Sequence, residues 1–148
     1  MRLFIDSDML LDFVAERPQT REAWNKLNAL ELTGTAELWV GAASFERVRS
    51  ALATAVADGE ARSALRSTMG FLSVCSVDGG DVRFALDHGG VPYETALTEA
   101  CARKIQADFI ITGTGPVDIS RPIRRVEPEE FFEVLEREQG IVFDLIDF

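Results

Sequence analysis

At 148 residues and 16.3 kDa the chain is long enough to bury one hydrophobic core without disulfides or a structural metal, and 47% hydrophobic with 27% charged residues is an ordinary globular balance. A formal charge of -10 argues against the broad electrostatic grip of a non-specific nucleic-acid binder, so contact with a phosphate backbone would need a local basic patch or a bound cation. No apolar run approaches the roughly 20 residues of a membrane span, and no basic region with a long apolar core precedes the first strand; the expectation is a cytoplasmic chain with no membrane segment and no secretory signal.

Leu3-Phe4-Ile5 is a short apolar run that stops at Asp6-Ser7-Asp8 and is followed at once by Met9-Leu10-Leu11. It reads as a buried strand turning straight into a helix over 9–16, with Ser7 or Asp8 accepting the free amide hydrogens of the first turn. Pro18 interrupts that helix. A second spans 20–32 with Trp24, Leu27 and Leu30 inward, closed by Thr33-Gly34. Residues 37–40 form a short strand that Gly41 breaks, and Ser44 caps a helix carrying Phe45, Val48, Leu52 and Val56 on one face and ending at Asp58-Gly59. A helix over 61–69 precedes a central strand over 71–77, a turn at Asp78-Gly79-Gly80 and a short helix over 82–86 ending near His88. Pro92 opens a longer helix through Ala96, Leu97, Ala100, Cys101 and Ile105. Residues 108–112 make the next strand, 113–120 a Gly/Pro loop and 123–126 a short strand, and Pro128 starts a final helix to Glu138.

That alternation predicts an α/β fold, with a mostly parallel central sheet and helices on both faces, in a single domain over 1–148. Residues 140–148 form an apolar C-terminal extension, apolar on both alternating faces, which adds an edge strand or docks on a partner subunit. Cys75 and Cys101 lack metal-binding spacing and read as small core residues.

Strands of such a sheet end on one side, where open α/β folds hold their ligands. Asp6 and Asp8 fall there, as do Glu46, the loop after Thr112 and the start of the Pro92 helix. Carboxylates gathered at one place repel one another, so a site built from them ordinarily holds Mg²⁺ or Mn²⁺. The plainer alternatives are that Asp8 and Asp12 serve a helix dipole, that Glu46 pairs with Arg47 or Arg49, and that Glu94 and Glu99 are surface residues. A carboxylate ending a buried strand, as Asp6 does, is costly without a partner. His88 reads as a helix-end residue, Gly113-Thr114-Gly115-Pro116 lacks the lysine of a phosphate loop, and Arg121, Arg124 and Arg125 form the densest basic group.

The passages Phe4-Ile5-Asp6-Ser7-Asp8-Met9-Leu10-Leu11-Asp12, Ser44-Phe45-Glu46, Tyr93-Glu94-Thr95-Ala96-Leu97 and Ala107-Asp108-Phe109-Ile110-Ile111-Thr112, in this order, resemble the PIN domains, which include VapC-type toxin ribonucleases. Ile123 through Val126 into Glu127-Pro128-Glu129-Glu130-Phe131 resembles the family's closing strand and helix. The resemblance implies a three-layer α/β/α fold and a Mg²⁺- or Mn²⁺-dependent endoribonuclease that hydrolyses RNA phosphodiesters. It also implies a homodimer and an antitoxin partner. Two of the family's acidic positions fall on Asp6 and Glu46, the expected catalytic and metal-binding residues; the other two fall on Thr95 and Thr114. Replacing two carboxylates by neutral hydroxyls weakens a site whose affinity for a hard cation depends on charge. Glu94, Glu99 and Asp118 are possible substitutes, with Asp8, Thr95, Thr112 and Thr114 in supporting positions around the ion. The alternative is a catalytically inactive PIN-like module that binds or assembles with a partner.

Overall fold

The computed structural model describes residues 1–113 and 122–143. Most of the expected Gly/Pro loop, with Thr114, Asp118 and Arg121, and the apolar extension from residue 144 lie outside the described residues.

Strands β1 (Arg2–Ile5), β2 (Glu37–Gly41), β3 (Leu72–Cys75), β4 (Phe109–Ile111) and β5 (Arg125–Val126) pair in the order β3-β2-β1-β4-β5. Every pairing is parallel, with Phe4 beside Trp39 on one side and Ile110 on the other. Helices α1 (Ser7–Val14), α2 (Arg21–Leu32), α3 (Ala42–Leu52), α4 (Asp58–Thr68), α5 (Gly79–Asp87), α6 (Tyr93–Lys104) and α7 (Pro128–Gln139) supply the crossovers, with a 3-10 turn over Pro18–Thr20.

Both faces of the sheet are covered, which is why Leu3-Phe4-Ile5 and Phe109-Ile110-Ile111 are continuously apolar. Leu3, Ile5, Phe109, Ile111 and Val126 face a core shared with Leu10, Trp24, Leu27, Val48, Leu65 and Phe131, so α1, α2, α3, α4 and α7 lie on that side. Phe4, Ile110 and Cys75 face the opposite side, where Cys101 and Ala102 of α6 and Ile105 just after it pack on them. The layers are α/β/α, as expected. Alternation puts Val126 on the first face and Arg125 on the second, towards α6.

Several local expectations are corrected. Asp6, not Ser7 or Asp8, caps α1, because the helix begins at Ser7. Helix α3 begins at Ala42, so Ser44 is buried in its first turn and its hydroxyl meets that of Ser7 at 2.8 Å instead of capping. Asp58-Gly59 opens α4 and does not close α3; the Asp58 carboxylate sits at the positive end of α4 and pairs with Arg62 at 2.7 Å. Strand β3 is an edge strand, shorter than the expected 71–77, because only β2 pairs with it. Asp78-Gly79-Gly80 is the start of α5, where Asp78 and Asp81 each accept the other's amide in a reciprocal cap. Both cysteines are buried, as expected. The described part of the extension, Ile141 to Phe143, forms no strand, and Phe143 packs edge-on against Phe132 at 5.5 Å.

Candidate functional site

The carboxyl ends of β1 and β4 meet where the Asp6 amide donates to the Ile111 carbonyl at 3.0 Å. Asp6 Oδ1 accepts the Ser7 amide at 2.8 Å and the Thr98 hydroxyl at 3.4 Å; Oδ2 accepts the Thr112 hydroxyl at 2.8 Å. Oδ2 also faces Arg125 Nη1 at 3.7 Å, and Arg125 Nη2 donates to the Thr95 carbonyl at 3.2 Å. The Arg125 side chain is 4% exposed and that of Asp6 15%, so this ion pair is largely removed from water. Thr95 therefore contributes its backbone carbonyl to the centre.

Asp8 bridges the same two strand ends. Its Oδ1 accepts the Met9 amide and its Oδ2 the Gly113 amide, both at 2.8 Å. Burial pushes its carboxyl above the ordinary aspartate value, and the Asp6 charge pushes it further, against the lowering effect of the two amides. A Cβ at Gly113 would stand 2.9 Å from Asp8 Oδ2, so any larger residue here would make the Asp8 carboxylate shift.

The remaining acidic residues point elsewhere. Glu46 is exposed on α3, holding Arg49 at 2.7 and 3.0 Å and the Ser50 hydroxyl at 3.2 Å; the Arg49 hydrogen bonds, then Ser50, hold its carboxyl below the ordinary value. Glu94, exposed at the start of α6, pairs with Arg47 of α3 at 2.8 Å. Glu46, Arg47 and Glu94 border a cleft of about 300 Å³ whose floor includes Phe4, Leu97 and Cys101 and whose wall carries Ser7 and Thr98. Glu99 is fully buried, against the expectation of a surface residue. Its Oε1 accepts Arg103 Nε at 3.1 Å and the Ile123 amide at 2.8 Å, while Oε2 has no hydrogen-bond partner among the described residues.

The structure thus brings together Asp6, Asp8, Thr98, Thr112, the Thr95 carbonyl and Arg125. Among the described residues, Glu46 and Glu94 bond neither Asp6 nor Asp8, and no group of three or more His, Cys, Asp and Glu side chains is placed to hold a metal ion. Arg125 and Thr98 had not been singled out for this centre. Arg125 was legible in principle: it directly precedes Val126 in a strand of a sheet covered on both faces, so one of two neighbours had to bury a charge.

No protein-family model matches the chain, and no curated protein matches it. Solved structures do. VapBC2 from Rickettsia felis, bound to a DNA fragment from their promoter, superposes with a TM-score of 0.60 at 13% identity, covering 77% of this chain and 88% of that one. VapC20 from Mycobacterium tuberculosis, a sarcin-ricin loop cleaving toxin, gives 0.61 at 12% identity, with 76% and 90% covered. At such identities the likeness is one of fold, and the fold is PIN-like. Among the described residues, no helix is long and apolar enough to cross a membrane.

Proposed function

We propose that this chain is a PIN-like domain of the toxin–antitoxin kind that acts by binding a protein partner and not by metal-dependent cleavage of RNA. The observation that carries this reading is the dispersal of the carboxylates. A magnesium ion takes near-octahedral oxygen ligands and depends on carboxylate charge to exchange its waters. Here both Asp6 oxygens accept hydrogen bonds, both Asp8 oxygens accept amides, and Glu46 and Glu94 are held in exposed ion pairs with Arg49 and Arg47. A guanidinium stands 3.7 Å from Asp6 Oδ2. With that guanidinium in place, the donor set among the described residues does not fit Mg²⁺ or Mn²⁺, and no step of chemistry is routed through either.

Without a bound cation, a chain of charge -10 has little electrostatic reason to hold RNA. A partner bearing a basic segment is the better match, and an antitoxin-like protein is that kind of partner: the VapC of the Rickettsia structure is seen with its VapB. Homodimerisation belongs to the same proposal.

A second reading keeps the ribonuclease, with Asp6 and Glu46 as catalytic and metal-binding residues. The observation favouring it is the mutual repulsion of Asp6 and Asp8, which a divalent cation would relieve. One experiment separates the two. Native chain, Asp6→Asn and Glu46→Gln are incubated with RNA and Mn²⁺ or Mg²⁺, and the native chain is co-purified with the product of any small reading frame beside its gene. Stable co-purification without cleavage supports the binding module. Metal-dependent cleavage by the native chain, lost in both variants, refutes it.

A further inference from the structure

We propose that Arg125 is the resident cation of the acidic centre, supplying from β5 the positive charge that Asp6 would otherwise take from a divalent ion. The inference rests on the reading of the domain as a non-hydrolytic one, and it explains how the Asp6 carboxylate stays ion-paired at a strand end it shares with Asp8. Arg125 leaves β5 on the face of the sheet covered by α6, and that layer fixes its guanidinium: Nη2 bonds the Thr95 carbonyl at 3.2 Å and Nη1 lies 3.7 Å from Asp6 Oδ2. A guanidinium keeps its charge at any physiological pH and carries its own donors, so it does not depend on the concentration of free metal. A buried arginine side chain, 4% exposed, needs a carboxylate as much as the carboxylate needs it. Neutral donors add to this pairing: hydroxyls of Thr98 and Thr112 on Asp6, amides of Ser7, Met9 and Gly113 on Asp6 and Asp8. Any divalent ion bonded to Asp6 Oδ2 would sit against the guanidinium and be repelled by it. The centre is therefore closed to metal by its own side chain, and the same side chain is what removal would turn into a cation site.

The test compares melting temperatures of the full chain with EDTA and with excess Mn²⁺, for the native chain, Arg125→Met, Arg125→Lys and the double variant Arg125→Met/Asp6→Asn. The native melting temperature is expected to be the same with EDTA and with Mn²⁺. Arg125→Met is expected to melt about 5–10 °C lower in EDTA and to recover about half of that loss in Mn²⁺, because an ion that binds only the folded state stabilises it. Arg125→Lys, which keeps the charge, should lose less and ignore Mn²⁺. If Arg125→Met does not fold, the double variant decides: charge compensation predicts that neutralising Asp6 restores folding and abolishes any Mn²⁺ response. The proposal is overturned if Mn²⁺ stabilises the native chain as much as Arg125→Met, if folded Arg125→Met ignores Mn²⁺, or if the double variant is as unstable as the single one. Cleavage of RNA by the native chain overturns the non-hydrolytic reading instead, and is scored in a separate assay.

Discussion

Neutralising Asp6 without changing its shape has a predictable sign. In a centre where acids merely crowd one another, Asp6→Asn relieves repulsion and stabilises the fold. In this one it removes the carboxylate that faces a buried guanidinium at 3.7 Å. Asparagine caps a helix about as well as aspartate, so the bond from the Ser7 amide to the first turn of α1 is kept. The Thr112 hydroxyl can turn from donor to acceptor towards the new amide group. What remains is the charge. At an effective dielectric of about 20, two unit charges at this separation attract by about 4–5 kcal/mol. Asn also escapes the cost of burying a carboxylate and lifts the repulsion on Asp8, which offsets part of this. A net loss of about 2–3 kcal/mol follows, within the range for breaking a buried pair by removing one partner. For a chain of this size that corresponds to a fall of about 5–10 °C in melting temperature. The assay is thermal and urea unfolding at pH 7 in EDTA, native against Asp6→Asn. An unchanged or more stable variant would show that Arg125 does not compensate Asp6.

Three further outcomes are expected. Gly113→Ala should destabilise by about 0.5–1.5 kcal/mol in urea melts, since its Cβ would stand 2.9 Å from Asp8 Oδ2 and disturb the bond that the residue's own amide makes to that oxygen; a neutral result would mean that Asp8 yields freely. Asp8, whose carboxyl is raised by burial and then by Asp6, binds its proton more tightly folded than unfolded, so its ionisation costs stability at neutral pH and the cost disappears as the pH falls through its folded value. In Asp6→Asn, carbon-13 NMR should find Asp8 titrating at lower pH than in the native chain, though still above the ordinary value; no change would remove Asp6 as a cause. Burial raises the Cys75 thiol and pushes that of Cys101 up to about 12. Neither should react with a thiol reagent at pH 8 until the chain is unfolded, and rapid labelling of the native chain would contradict their place in the core.

The layers were legible because a parallel sheet covered on both faces writes unbroken apolar runs, and Leu3-Phe4-Ile5 and Phe109-Ile110-Ile111 are such runs. Helix ends were less so. Asp58-Gly59 carries the composition of a turn, yet aspartate is equally at home in a helix's first turn, and only the pairing with Arg62 one turn on argues for the second. Of the site, Asp6 and Asp8 were found from the strand-to-helix turn alone. Glu46 and Glu94 follow the same strand-end logic, but their fates depend on Arg49 and Arg47, and long side chains choose partners that spacing does not dictate. Glu99 was misjudged for a reason visible afterwards: Ala96, Ala100 and Ala102 surround it with small residues, the mark of a helix buried on more than one side. Arg125 stood out only as part of the densest basic group, whereas the two-sided cover of the sheet places it inside.

Because β1 is the middle strand, the first residues of the chain complete their pairing only when β4 arrives. Asp6 bonds Thr98 and Thr112, 92 and 106 positions away, and its counter-charge lies further still, in β5. Contacts of such sequence separation close slowly and late. Until they close, the amino-terminal segment exposes two adjacent carboxylates with no cation. The acidic centre is thus also a marker of completed folding: a surface formed around it exists only on a chain whose β5 has docked, so a partner that reads that surface cannot engage a half-made one.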